Sequence, residues 1–195
     1  MRADRRWLGL LLILLIGCPA QHEPLPRIRQ LPAFTLIDQD GRSFGAGQLR
    51  GRVWVANFIF TRCPTVCPLL SRRMAQLARG FRDAPKARFV SISIDPEADT
   101  PAVLRRYAHS LGANTQRWHF LTGKDDKLRR VVAQGFRLNV GQRVQHDQGA
   151  GYDILHATHF VLVDAKGWIR GYYRKDKDTL AQLQRDMRRL LDGET

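Results

Sequence analysis

Residues 53–68 read Val-Trp-Val-Ala-Asn-Phe-Ile-Phe-Thr-Arg-Cys-Pro-Thr-Val-Cys-Pro. The first eight are almost continuously apolar and rich in branched and aromatic side chains, the pattern of a strand covered on both faces of a sheet. Two cysteines follow at once, each with a proline behind it. Proline inside an established helix removes a hydrogen bond, whereas at the first helical position it costs nothing. The sequence therefore predicts a helix that begins at Pro68, with Leu69, Met74, Leu77 and Phe81 on its apolar face. Cys63 and Cys67 then fall on the loop that leaves a buried strand, where α/β proteins place their sites. A helix N-terminus favours thiolate over thiol, which makes the pair candidate redox or metal-binding sulfurs. They can form a disulfide, bind a soft metal, or alternate between the two.

Moving outward, Phe89–Ile94 returns to strand character until Asp95-Pro96 breaks it, giving a strand–helix–strand unit. Thr100-Pro101 pairs an N-cap with a first-turn proline, and the helix it opens runs to about Leu111. A short segment at Trp118–Leu121 precedes a helix over Asp126–Phe136. Upstream, Phe34–Ile37 followed by Asp40-Gly41 signals an N-terminal hairpin. Downstream, residues 137–153 are polar and punctuated by glycine, an inserted loop or hairpin. Strands over His159–Val163 and Trp168–Tyr173 flank a turn at Asp164–Gly167, and Leu180–Leu191 supplies a closing amphipathic helix. The order suits an α/β sandwich with a mixed central sheet.

A chain of 195 residues, 44% apolar and 26% charged, is one globular domain plus a leader, which excludes a disordered or polytopic membrane protein. Arg2, Arg5 and Arg6 precede an apolar run from Leu8 to Ile16 that is too short to span a bilayer and has the charge order of an export signal. The run ends Leu15-Ile16-Gly17-Cys18, which resembles the bacterial lipobox. That resemblance implies a signal peptide over 1–17, a lipid on Cys18 and a domain outside the cytoplasm, held to a membrane of the bacterial cell envelope. Residues 18–32 carry Pro24, Pro26 and Pro32 and read as a tether, with the domain proper over 33–195. Once Cys18 is acylated, Cys63 and Cys67 are the remaining cysteines in an oxidising compartment and must act together.

Lysine and arginine number 32 against 18 acidic residues, a net charge of +14. Export and the lack of any nucleic-acid-binding fingerprint exclude nucleic acid as the partner. An anionic membrane surface, an acidic protein, or a solvated surface fits the charge better.

Two thiolates form a soft site suited to Cu(I) or Zn(II), and one imidazole would complete a three-coordinate centre able to hold copper in either oxidation state. Of six histidines, His22 lies in the tether, while His109 and His119 fall in a helix and a short segment where exposed or capping roles are ordinary. His146 sits in the excursion, and His156 and His159 flank the start of a strand. Side chains three apart on a strand point to opposite faces, so those two do not serve one metal. Spacing leaves the choice among them open.

The sequence resembles the Sco/SenC family of thioredoxin-like copper proteins. Its Cys-Pro-x-x-Cys-Pro motif stands here as Cys63–Pro68, and its Asp-Pro-x-x-Asp-Thr-Pro stretch as Asp95–Pro101. His156 lies at the family histidine's offset before the strand and turn that reach Gly167. The resemblance implies a thioredoxin-like fold, one copper per chain on Cys63, Cys67 and His156, and a chaperone's role toward the copper site of cytochrome c oxidase. Its partner would be the oxidase's copper-bearing subunit or another copper protein of the same assembly path. Thr65 and Leu155 stand where many members carry acidic residues, which alters charge near the site and removes no ligand. Asp95 reads as a docking or ligand-supporting residue, or else as a turn former.

A thiol:disulfide oxidoreductase would use the same two sulfurs without copper, and His156 separates the readings because disulfide exchange does not need it. A peroxiredoxin fits poorly: its reactive cysteine follows a threonine by three positions, and Thr61 precedes Cys63 by two. A lipoprotein that only binds partners is the non-chemical alternative.

Overall fold

The computed structural model describes residues 23–63, 66–145, 152–156 and 158–194. The elements in order are β1 (Arg29–Gln30), β2 (Thr35–Ile37), β3 (Ser43–Gly45), α1 (Ala46–Leu49), β4 (Val53–Ile59) and α2 (Val66–Gly80). There follow β5 (Ala87–Ser93), α3 (Pro101–Ser110), β6 (Trp118–Leu121) and α4 (Asp125–Arg130). The chain closes with β7 (Val140–Gln145), β8 (Tyr152–His156), β9 (Phe160–Val163), β10 (Trp168–Tyr173) and α5 (Lys177–Leu191).

Six strands form one sheet in the order β1-β10-β9-β4-β5-β6. β4, β5 and β6 run parallel, whereas β9 is antiparallel to β4, β10 to β9, and β1 to β10. The sheet is mixed, as the sequence predicts. All seven residues of β4 are buried, so both faces are covered. On one face Phe136, just after the π-turn that follows α4, meets Trp54 and Phe58 edge-on, with ring centroids 6.1 and 5.1 Å apart. Burying a side chain of Phe58's size is worth about 1.5–3 kcal/mol. α2 and α5 both contact β4, and Tyr107 of α3 donates to Ser71 of α2.

The expected N-terminal hairpin is β2–β3, with Gly41 at φ 78° in its turn. The excursion after residue 137 is a second hairpin, β7–β8, which pairs as a two-stranded sheet of its own. Three differences from expectation bear on the core and the site, beyond a closing helix that starts early, at Lys177. α2 starts at Val66, two residues before Pro68. The third position of a helix still lies among the first four N–H groups that have no intrahelical acceptor, so proline is tolerated there too. The helix expected to reach Phe136 ends at Arg130 and widens into a π-turn over Val131–Gly135. Finally, residues 23–32, expected as tether, lie against the domain and contribute β1. The buried Arg170 draws them in: it pairs with Asp164 at 2.8 Å and donates to the Pro26 and Leu25 carbonyls at 3.0 and 2.6 Å. Residues 1–17, Cys18 and the start of the tether lie outside the described residues. Among those described, no helix is long and apolar enough to cross a membrane.

Candidate metal centre

The topology gathers three loops at one end of the sheet. β4 and β5 are parallel and paired in register through Ile59 and Ser93, so the cysteine loop and the Asp95–Pro101 stretch leave side by side. β9 runs the other way, with Val163 opposite Trp54 and Val161 opposite Ala56. The chain therefore enters β9 at the end where it leaves β4, and His156 immediately precedes that entry.

Cys63 closes a turn, its N–H donating to the Phe60 carbonyl at 3.2 Å. Cys67 lies within the first turn of α2, not on the loop as the sequence predicts, and its N–H donates to Cys63 Sγ at 3.4 Å. One unpaired amide of the helix start is thus spent on sulfur. The two cysteines are not joined in a disulfide, and Cys63 is 5% and Cys67 0% exposed.

Burial pushes the Cys67 thiol far above the ordinary cysteine value. A backbone hydrogen bond with Phe60 works in the opposite direction, and negative charge on Cys63 and Asp99 adds to the rise. The expectation of a helix-stabilised thiolate is corrected for Cys67, because desolvation of a fully enclosed sulfur outweighs the helix end. Such a thiol surrenders its proton to a ligand that returns bond energy to sulfur.

Asp99 is the organising carboxylate that sequence reading passed over. Fully buried, it accepts from Thr61 Oγ1 and Ser93 Oγ, both at 2.6 Å, and from the Thr61 N–H at 3.2 Å. It ties the cysteine loop to the end of β5. Burial raises its pKa, while the hydrogen bonds from Ser93 and Thr61 oppose the rise. The signal lay in the Asp-Thr-Pro of residues 99–101, whose threonine caps α3 by accepting from the Val103 N–H. Asp95, singled out from sequence, builds the turn: its N–H donates to Ser93 Oγ at 3.0 Å and its carbonyl accepts from the Ala98 and Asp99 N–H groups. Tyr107 borders the same region, its hydroxyl raised by burial and by charge on Cys67, Asp99 and Cys63.

His156 ends β8 opposite Val140 of β7; its side chain lies outside the described residues, as do Thr65, His146 and the backbone of Pro64. His119 stacks on Phe44 with centroids 4.0 Å apart, on β6. His159 lines a separate cavity with Arg29 and Tyr172. Among the described residues no three His, Cys, Asp or Glu side chains cluster to hold a metal. The structure brings together Cys63 and Cys67, and that two-sulfur donor set suits a soft ion such as Cu(I).

The family description SCO1/SenC matches residues 23–192. A SCO1/SenC family lipoprotein from Bacillus anthracis is similar at 33% identity and a TM-score of 0.72, over 83% of this chain and 94% of that one. ScoI of Bradyrhizobium japonicum, solved with copper bound, is 27% identical with a TM-score of 0.71, over 83% and 99% of the two chains. BsSco, described as a member of the Sco family of cytochrome c oxidase assembly proteins and as having a disulfide switch, is 27% identical with a TM-score of 0.70, over 88% and 97%. With the thioredoxin-like sheet and the cysteine pair at its end, these matches establish that the chain belongs to the SCO1/SenC family.

Proposed function

We propose that this protein binds one copper ion through Cys63, Cys67 and His156 and serves the copper site of cytochrome c oxidase, from a lipid anchor on Cys18 in the bacterial cell envelope. The observation that carries the reading is the buried pair of thiols beyond the end of β4, not joined in a disulfide and linked by the Cys67 N–H to Cys63 Sγ contact. Two sulfurs supply the soft donors copper prefers, and an imidazole is a ligand tolerated by both oxidation states. The copper-bound relative from Bradyrhizobium japonicum and the oxidase-assembly family of BsSco support the metal and the destination. Copper here is cargo. Cys63 and Cys67 receive it as thiolates, so loading releases protons, and the Asp99 bonds hold their loop in place.

The disulfide switch described for BsSco favours a second reading, in which Cys63 and Cys67 reduce a partner's cysteines. Buried Cys67 is then the resolving sulfur, because a high pKa makes it a poor attacking nucleophile. Metal analysis of the reduced protein with its His156→Ala variant separates the two. Copper binding predicts one ion per chain, a sulfur-to-copper charge-transfer band, and at least a tenfold loss of affinity on removing the imidazole. Equal affinity in His156→Ala would overturn the three-ligand centre.

A further inference from the structure

A cavity of about 530 Å³ beside β1 and β10 is lined by Ile28, Arg29, Arg137, Leu138, His159 and Tyr172. Its polar side chains are two guanidiniums, an imidazole and a phenol, with no carboxylate among the lining residues. The Arg29 Nε and the His159 Nδ1 are buried and have no hydrogen-bond partner. Orphaned buried nitrogens are rare in native structures, since each forfeits its hydration without replacement. Among the described residues, no carboxylate pairs with Arg29 or Arg137. The Tyr172 hydroxyl donates to the Phe136 carbonyl at 2.9 Å. Burial raises that phenol's pKa, while the positive charges of Arg29 and Arg137, which line the same cavity, both pull it down.

The backbone adds an independent observation. Arg137 follows the π-turn with φ 55°, in the left-handed region where helices ordinarily end on glycine. A long, charged residue kept in a conformation that disfavours it marks a position where the side chain is needed.

We propose that this cavity is an anion site for a phosphate-type oxyanion, bound between the guanidiniums of Arg29 and Arg137 with the imidazole of His159 beside it. Guanidinium forks match such oxygens two at a time, which a diffuse basic surface does not achieve. The rim is apolar: Ile28 is 49% exposed, and Leu138 lies beside it. The site therefore takes either free phosphate or the phosphate of a phospholipid whose remaining atoms rest on that rim. This inference is independent of the copper reading.

The test uses the full chain, titrated with inorganic phosphate at constant ionic strength while the arginine Nε–Hε resonances are followed. The expected result is a saturable shift of Arg29, with affinity at least tenfold weaker in Arg29→Gln and Arg137→Gln and unchanged in Arg79→Gln, a control on exposed α2. Retained thermal unfolding in each variant establishes that the fold persists, and Arg137→Lys, which keeps charge without the fork, should bind at an intermediate level. Sedimentation with phosphatidylglycerol vesicles, against phosphatidylcholine, then separates the sources. Pocket-dependent binding to the anionic vesicles assigns a lipid headgroup; phosphate binding without it assigns the free anion. A phosphate response equal in Arg29→Gln, Arg137→Gln and Arg79→Gln would mean that only the net charge attracts anions, and would overturn the proposal.

Discussion

Cys63 and Cys67 stand at the end of β4, a strand buried along its whole length between β9 and β5. His156 stands on β8, which pairs with β7 in a two-stranded sheet with a register shift between Val140 and Arg143. The first region inherits its geometry from the core. The second inherits it from a hairpin, and an isolated hairpin is marginal by itself. A copper ion held by both regions would join the excursion to the core, so metal binding and hairpin order should be linked, as binding to a folded arrangement stabilises it. On the proposed copper reading the two sulfurs are held by the core, and the His156 imidazole would complete the set.

The comparison can be broken most forcefully from the core side. Phe58→Ala empties the contact between β4 and Phe136, and such truncations cost about 3–5 kcal/mol. Chemical unfolding should report a loss of that size, with copper binding impaired in proportion to the unfolded fraction. A loss below about 1 kcal/mol would mean that β4 is not the scaffold described. Next comes the link between strand end and loop. Asp99→Ala leaves the Thr61 and Ser93 hydroxyls without their acceptor, and an unsatisfied buried group costs about 1–3 kcal/mol. Copper affinity should fall with stability here, while Asp99→Asn, which still accepts from Thr61, should be milder on both measures.

The same contrast explains how much was legible in the sequence. The apolar run of Val53–Phe60, the proline-flanked cysteines and the capped start of α3 carry local signals strong enough to give the sheet core and the thiol pair. The start of α2 escapes the proline rule because a proline at the third position of a helix is tolerated as well as one at the first. Asp99 was overlooked because its role is long-range: Thr61 is 38 positions away, and nothing local distinguishes a carboxylate that caps from one that braces a distant loop. The state of Cys67 was misjudged for a related reason. Sequence places it at a helix start, where thiolate is favoured, but only the packed structure reveals that the sulfur is wholly enclosed. Only the family resemblance singles out His156, since β8 carries no spacing signal for it.

That misjudged thiol yields a prediction in pH. The unfolded cysteine ionises near pH 8.5, whereas burial keeps Cys67 protonated in the folded chain well above that. Over this range the folded state holds a proton that the unfolded state has released, so stability falls as pH rises, by up to about 1.4 kcal/mol per unit. Urea unfolding of the reduced, metal-free protein between pH 8 and 10 should display the slope, and Cys67→Ser should flatten it. Loading with copper reverses the proton balance, and affinity should climb with pH because ligation displaces the same proton. An identical slope in wild type and Cys67→Ser would place the titrating group elsewhere.

The smallest effect separates what the fold needs from what Arg137 is kept for. At φ 55° an arginine is strained, and glycine relieves such a position by about 1 kcal/mol. Arg137→Gly should therefore raise the unfolding midpoint slightly while it abolishes the phosphate response of the cavity. The cysteine region should be untouched, with copper stoichiometry and charge-transfer spectrum as in wild type, because the residue lies in the chain that leads into β7 rather than on β4 or α2. A variant that grows more stable and loses the anion is what a strained binding residue produces. One that loses stability would instead make Arg137 a structural brace for the entry to the hairpin, and the hairpin would then depend on the core through this residue as well as through copper.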